Sequence, residues 1–325
     1  MNSKYFLDKI IQFILLLGFL FPVNLIVEPY LQDATPNSIY VLWETDENTE
    51  SVVEWGMYIF LTEMTTGSSI SNYGSSRIHT VQLTGLEPET RYYYRVVYDG
   101  NYSEVYNFIT PPLPSSENSF RIIAMSDMQR DSSNPNKFNE IIHDGVIDYI
   151  SEEYSDDLAE ELAMVLVTGD LVVTGSSYYQ WQDHFFGPSE DLFSYVPMYP
   201  VFGNHEQNTD YFIKYFHMPD NGTSGYEEHW YYTDYSNLRV IGLDSNGGYQ
   251  VQAQLDWLEA VLQDACSNDN IDFVFAQLHH PYKSELWTPG ESNYTGDVIQ
   301  RMENFSDECG KPSIHFFGHT HGYSR

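Results

Sequence analysis

Several apolar runs in the second half of this chain end in side chains that can ligate a metal or move a proton. AMSDMQ ends in Asp127 and Gln129, VTGD in Asp170, and FGNHE in Asn204, His205 and Glu206. GLDS ends in Asp244, AQLHH in His279 and His280, and FGHTH in His319 and His321. Carboxylate, amide and imidazole together suit zinc, manganese or iron, and a carboxylate with two oxygens can bridge two such ions. Singly these pieces are weak, since Gly-Asp commonly makes a turn and adjacent histidines commonly fill a surface. Their joint order is the signal. Nucleophilic catalysis by a hydroxyl is less well served: Ser126 and Ser245 read as turn residues with no base and orienting group nearby in sequence.

Such groups cooperate only if the fold brings them to one place. From Phe120 onward, apolar runs alternate with amphipathic stretches, among them a helix near Asn136 to Glu153 and another over QAQLDWLEAVLQDA. The latter carries its apolar face on Leu255, Leu258, Ala260, Val261 and Leu262. Strands alternating with helices predict an α/β domain over residues 120–325, with the groups above at strand C-terminal ends along one edge. Residues 24–112 differ. SIYVLWET, SVVEWGMY, HTVQLTGL, RYYYRVVYD and SEVYNFIT are short, β-branched or aromatic, and separated by turn residues, which predicts an all-β sandwich. Leu86, Pro88, Thr90 and Tyr92 resemble the tyrosine corner of fibronectin type III domains. That segment holds no titratable cluster and reads as a spacer or docking module. Residues 113–119, within the proline- and serine-rich TPPLPSSENS, read as a linker.

Composition narrows the chemistry. Fourteen Lys plus Arg against 47 Asp plus Glu give a net charge of −33. A nucleic-acid surface needs a basic stripe, and none exists, so no nucleic-acid partner is expected. A chain this negative repels anionic substrates at long range, so a phosphate site needs strong local positive charge, which bound metal ions would supply. Residues 1–23 carry Lys4 and Lys9 ahead of an apolar stretch from Ile10 to Phe21. This is the length of a signal-peptide core and short for a membrane span, so the segment reads as a signal peptide or N-terminal anchor. The expected location is secreted, periplasmic or at the cell surface. Cys266 and Cys309 fit that compartment if they pair; two unpaired thiols are the alternative.

The order Asp-x-Gln, Gly-Asp, Gly-Asn-His-Glu, His-His-Pro and Gly-His-x-His resembles the calcineurin-like metallophosphoesterases. With the sandwich in front, the chain is similar to the purple acid phosphatase branch, whose N-terminal domain is fibronectin-like and whose catalytic fold is two packed β-sheets flanked by helices. The resemblance implies two metal ions, iron, zinc or manganese. It implies that Asp170 bridges them, that Asp127 and His321 hold one, and that Asn204, His279 and His319 hold the other. His319 and His321, two residues apart in an extended segment, would point the same way and address different ions. Purple acid phosphatases carry Tyr three residues after the bridging Asp; here Val173 stands there, which puts the purple ferric chromophore in doubt. Gln129 stands where relatives place His or Gly, and its amide oxygen is expected to fill the vacancy. His205 would act as general acid or phosphate donor, or order its loop through Glu206. His280 would touch substrate or hydrogen-bond a ligand, Arg130 would clamp phosphate or stay solvated, and Asp244 reads as structural. The expected reaction is hydrolysis of a small phosphate monoester by a hydroxide held between the two ions. Phosphodiesterase or nucleotidase activity, or a non-catalytic binding role, are the alternatives. Because the resembling proteins run on past GHTHGYSR, the chain is expected to be a C-terminally incomplete fragment.

Overall fold

A computed structural model describes residues 22–114, 116 and 118–322. The leader expected over residues 1–23 lies almost wholly outside them. Among the described residues no helix is long and apolar enough to cross a membrane.

The first part is a β-sandwich. One sheet runs β1 (Leu25–Thr35), β2 (Ser38–Thr45), β6 (Arg77–Thr84), β5 (Ser68–Ser71). The other runs β4 (Glu63–Thr66), β3 (Val52–Gly56), β7 (Arg91–Tyr98), β8 (Asn101–Tyr102), with β9 (Tyr106–Ile109) also paired to β7. Alternate residues face inward, as the pleat requires: Ile39, Val41 and Trp43 of β2 meet Tyr92, Tyr94 and Val96 of β7 in one buried cluster. The Tyr92 hydroxyl accepts the backbone N–H of Glu87 at 2.9 Å, the back-reaching bond of a tyrosine corner.

The second part has two sheets. The first is parallel, β10 (Ile122–Met125), β11 (Met164–Val167) and β12 (Met198–Pro200). The second runs β13 (Tyr231–Tyr235), β14 (Leu238–Gly242), β15 (Phe273–Gln277), β16 (Ser313–Phe316), with only the β13–β14 pair antiparallel. The two faces of β14 bury different neighbours. Leu238 and Val240 join the core shared with β11 and β12, while Ile241 packs under the helices Gln252–Ser267 and Asn293–Cys309. Cys266 and Cys309 are bridged, tying the C-terminal ends of those two helices with Cα atoms 5.5 Å apart.

The sandwich is no spacer. Val27, Tyr30, Leu42 and Ile78 belong to the same buried cluster as the strands of the α/β part, so one apolar core crosses the boundary. Polar groups close it: Tyr30 donates to the Tyr215 carbonyl at 2.6 Å, Tyr94 to the Ser194 carbonyl at 2.7 Å, and Ser194 to the Pro29 carbonyl at 2.7 Å. Buried Glu44 accepts from Ser76 (2.7 Å), Tyr215 (2.8 Å) and Tyr178 (3.0 Å), linking β2 to the α/β part. A buried carboxylate survives without a cation only with such donors. The sandwich thus braces Tyr178, Ser194 and Tyr215 in the α/β part.

Candidate metal centre

β10, β11 and β12 are mutually parallel, as are β14, β15 and β16, so each set delivers its C-terminal ends to one side. Asp127 follows β10, Asp170 follows β11, Asn204 and His205 follow β12, His279 follows β15, and His319 and His321 follow β16. These turns approach closely enough that only glycine fits beside the acids. A Cβ on Gly203 would sit 2.2 Å from Asp170 N, and one on Gly318 would sit 2.4 Å from Asp127 Oδ2.

Two groups of donors result, and they share one carboxylate. Asp170, His279 and His319 offer atoms within 4.8 Å of one another, and so do Asp127, Asp170 and His321. His319 and His321 serve different groups, but not by the route expected. Both have positive φ (70° and 51°), as do Asp127 (58°) and Asp170 (57°), so the segment is a turn and not an extended strand. Left-handed backbone at non-glycine residues costs energy and persists where surroundings over-determine it.

The first group is deep. His279 is buried, and its Nδ1 lies 2.8 Å from the Thr168 carbonyl, which can only accept. That bond assigns the proton to Nδ1 and leaves the Nε2 lone pair facing Asn204 Oδ1 (3.0 Å) and Asp170 Oδ2 (3.2 Å). Burial pulls the His279 pKa down, yet the bond and charge of Asp170 outweigh it and the net direction is up. Three converging lone pairs of this kind fit a cation. Asp170 is in turn held by the next motif: Glu206, fully buried, accepts N–H bonds from Asp170 (2.9 Å), Leu171 (2.8 Å) and Gly203 (2.7 Å). Burial and Asp170 push the Glu206 carboxyl up to about 7, against the pull of those donors. Burial, then the charge of His279, lowers His319 to about 4, and His319 N–H bonds Asp127 at 2.9 Å.

The second group is shallow. His321 is 63% exposed, with Nε2 3.5 Å from Asp127 Oδ1 and 3.1 Å from Gln129 Nε2. Gln129 Nε2 also lies 3.5 Å from Asp170 Oδ2, while its Oε1 is buried with no hydrogen-bond partner. A half-turn of the amide, whose two ends are alike in shape, would aim the oxygen at the acids and imidazole, where only a cation between them would give it a partner. The donors present therefore fit a cation here too.

Around these groups the remaining expected residues separate. His205 donates Nδ1–H to the Val173 carbonyl at 2.7 Å, leaving Nε2 3.8 Å from Asp170 Oδ2. Val173 thus contributes its backbone, not a ligand. His205 lines both a cavity of about 950 Å³ and a smaller one of about 360 Å³. His280 does not join either donor group: burial, then the charges of His279 and His319, lower it to about 3, and its Nδ1 pairs with Ser245 Oγ at 2.9 Å. Arg130 is exposed and lines the larger cavity with Lys137 and His184. Asp244 is buried and structural, accepting from His229 Nδ1 (2.7 Å) and Asn246 N (2.8 Å). Sequence reasoning did not single out Thr168, whose contribution is a carbonyl, nor Trp287, which carries no motif.

Parallel strands delivering a shared carboxylate with flanking imidazoles define a metallophosphoesterase. The chain belongs to the calcineurin-like phosphoesterase family, whose model matches residues 120–323, and the purple acid phosphatase N-terminal domain matches residues 26–110. It is 28% identical over 281 residues to an uncharacterized protein of Mycobacterium tuberculosis, covering 77% of this chain and 50% of that protein. It is 24% identical over 272 residues to probable inactive purple acid phosphatase 27 of Arabidopsis thaliana, covering 76% and 44%. The purple acid phosphatase PPD1 of yellow lupin seeds shares the fold, with TM-score 0.66 at 19% identity over 90% of this chain and 57% of that one. The chain spans about half the length of the curated relatives it matches.

Proposed function

We propose that the chain is an exported dinuclear-metal phosphoesterase acting on small phosphate monoesters. The observation that carries this reading is the single carboxylate, Asp170, common to two donor groups. Asp127, Gln129, Asp170 and His321 would hold one ion, and Asp170, Asn204, His279 and His319 the other. Bound there, iron, zinc or manganese would activate water and neutralise charge on the phosphoryl oxygens. The Val173 carbonyl fixes the His205 tautomer, so its Nε2 faces the space between the acids and both cavities. There it can hold a proton for the departing oxygen. Arg130 and Lys137 stand in the larger cavity as cations available to a phosphate. Export is supported by the Cys266–Cys309 bridge, which suits an oxidising compartment.

Metal analysis of the purified chain, paired with turnover of p-nitrophenyl phosphate and of bis(p-nitrophenyl) phosphate, tests the reading. Two ions per chain and preference for the monoester are expected; preference for the diester would move the assignment to a phosphodiesterase. Similarity to a relative named as probably inactive favours a second reading, a non-catalytic binding protein. Two bound ions with no hydrolysis of either ester would establish that instead. His205→Asn should lower kcat by about a hundredfold while metal content holds; loss of metal in that variant would make His205 a structural residue.

A further inference from the structure

Six tryptophans occur in the chain, and one is placed unlike the rest. Trp43, Trp181 and Trp230 are fully buried. Trp55 and Trp257 are half-buried, with their indole N–H groups bonded to Thr65 Oγ1 (2.9 Å) and the Asn221 carbonyl (2.8 Å). Trp287 is 47% exposed, and its indole N–H has no partner among the described residues. It lines the smaller cavity together with Asp170, Asn204, His205, His319 and His321. A large exposed aromatic lining a pocket of candidate ligands is a binding feature more than a packing one.

The backbone beneath the ring is also braced. The loop that carries it is closed at its base by Ser292 N–H to the Pro281 carbonyl (2.8 Å) and by the Lys283–Glu291 ion pair (2.8 Å). Within it, Ser284 Oγ accepts the N–H of Leu286 (3.1 Å) and Trp287 (3.2 Å), and the Trp287 carbonyl accepts Gly290 N–H (3.1 Å). Gly290 wedges the indole against the candidate ligand: a Cβ there would lie 2.7 Å from Trp287 Cε3 and 2.8 Å from His319 Cδ2. The Trp287 and His319 ring centroids are 5.2 Å apart. A π-face on a braced loop, packed on one side against a ligand, loses less entropy on binding a second ring than a free side chain would. The lining includes candidate ligands of both ions, so the phosphoryl group would sit against them and Trp287 would border the group it is esterified to.

We infer that Trp287 is a stacking platform for the alcohol portion of the ester, and that the substrates are phosphate esters whose alcohol carries a flat aromatic ring, aryl or nucleoside phosphates. This rests on the phosphoesterase reading above, and the test separates the two. With the metal-loaded chain, kcat/KM is measured for phenyl phosphate, adenosine monophosphate and glycerol 2-phosphate. Trp287→Ala should cost about tenfold on the aromatic esters, mostly through KM, and less than about twofold on glycerol 2-phosphate, while Trp287→Phe recovers most of the loss. A larger loss on adenosine monophosphate assigns the ring to a nucleobase, and a larger loss on phenyl phosphate assigns it to an aryl group. Equal loss on all three esters, or none on any, overturns the platform. Calorimetric binding of benzylphosphonate against methylphosphonate reads the same contact without turnover. The aromatic phosphonate should bind about tenfold tighter, and only when Trp287 is present. A chain that hydrolyses nothing yet keeps that preference loses the esterase assignment and retains the platform; equal binding of the two phosphonates sinks the platform alone.

Discussion

The two donor groups that share Asp170 are built differently. In the deep group, His279 and Asp170 are 0% and 1% exposed, and each has an outer partner that fixes it: the Thr168 carbonyl for the imidazole, Glu206 for the turn that carries the carboxylate. In the shallow group, Asp127 is 11% exposed and His321 63%, and among the described residues the polar contacts of His321 are to Gln129 and Asp127, themselves members of the group. A preorganised site spends little free energy on arranging its ligands, whereas an exposed one must order side chains as it binds. The deep position should therefore bind its ion more tightly and exchange it more slowly. Outer-shell partners of this kind change metal affinity by about 10–100-fold when removed, which sets the scale of the asymmetry.

The comparison breaks first at the shared residue. Asp170→Asn should empty both positions, with affinity falling by more than the roughly hundredfold of an outer-shell loss, since a direct donor to both ions is weakened. Metal content after gel filtration reads this, and retention of one ion would mean Asp170 serves only one group. Next comes the asymmetry itself. His279→Ala should remove the deep ion and disturb the shallow one through Asp170, while His321→Ala should leave one ion per chain at near-native affinity. If both variants retain one ion with the same affinity, depth does not order the two positions. The Cys266–Cys309 bridge supports the helices behind the second sheet without touching either group. Replacing both cysteines with serine should cost about 4 kcal/mol of stability from the released loop, seen as a lower Tm, with metal affinities unchanged in the folded protein.

The sequence was most legible where a motif and an element coincide. SIYVLWET corresponds to β2 residue for residue, and QAQLDWLEAVLQDA lies within the helix Gln252–Ser267. Asp127, Asp170, Asn204, His279 and His319 were findable because parallel strands send their C-terminal ends one way, so residues far apart in number share an edge. What stayed hidden has physical reasons. Glu63–Thr66 and Ser68–Ser71 are short, mostly exposed strands, without the alternation that marks a half-buried one. The helix Asn293–Cys309 places Tyr294, Val298, Met302 and Phe305 on one buried face, a pattern that was readable but lies between two more conspicuous histidine motifs. The joining of sandwich to α/β core through Glu44 and Tyr215 depends on tertiary approach across 171 positions, which no local pattern encodes. The turn at His319 and His321 departs from expectation for the opposite reason: alternation suggests a strand, but at Gly318 the chain packs close against Ser126 and Asp127 and both histidines take positive φ.

Gln129 gives the finest test of the contrast between deep and shallow. Its Nε2 sits beside His321 and Asp170 while its Oε1 is buried and unpaired, so the amide is already placed among the donors but is the weakest of them. An amide oxygen is neutral and less basic than imidazole or carboxylate, so losing it should cost less than losing His321. Gln129→Ala should weaken only the second, shallow step of a calorimetric metal titration, by about tenfold, and leave the first step where it was. Gln129→His should restore or tighten that step, because an imidazole nitrogen is a stronger donor to zinc, manganese or iron than an amide oxygen. If alanine weakens the first step, the side chain acts through Asp170 and not as a separate ligand. If neither step moves, Gln129 only fills space between the two turns, and the shallow position rests on Asp127, Asp170 and His321 alone.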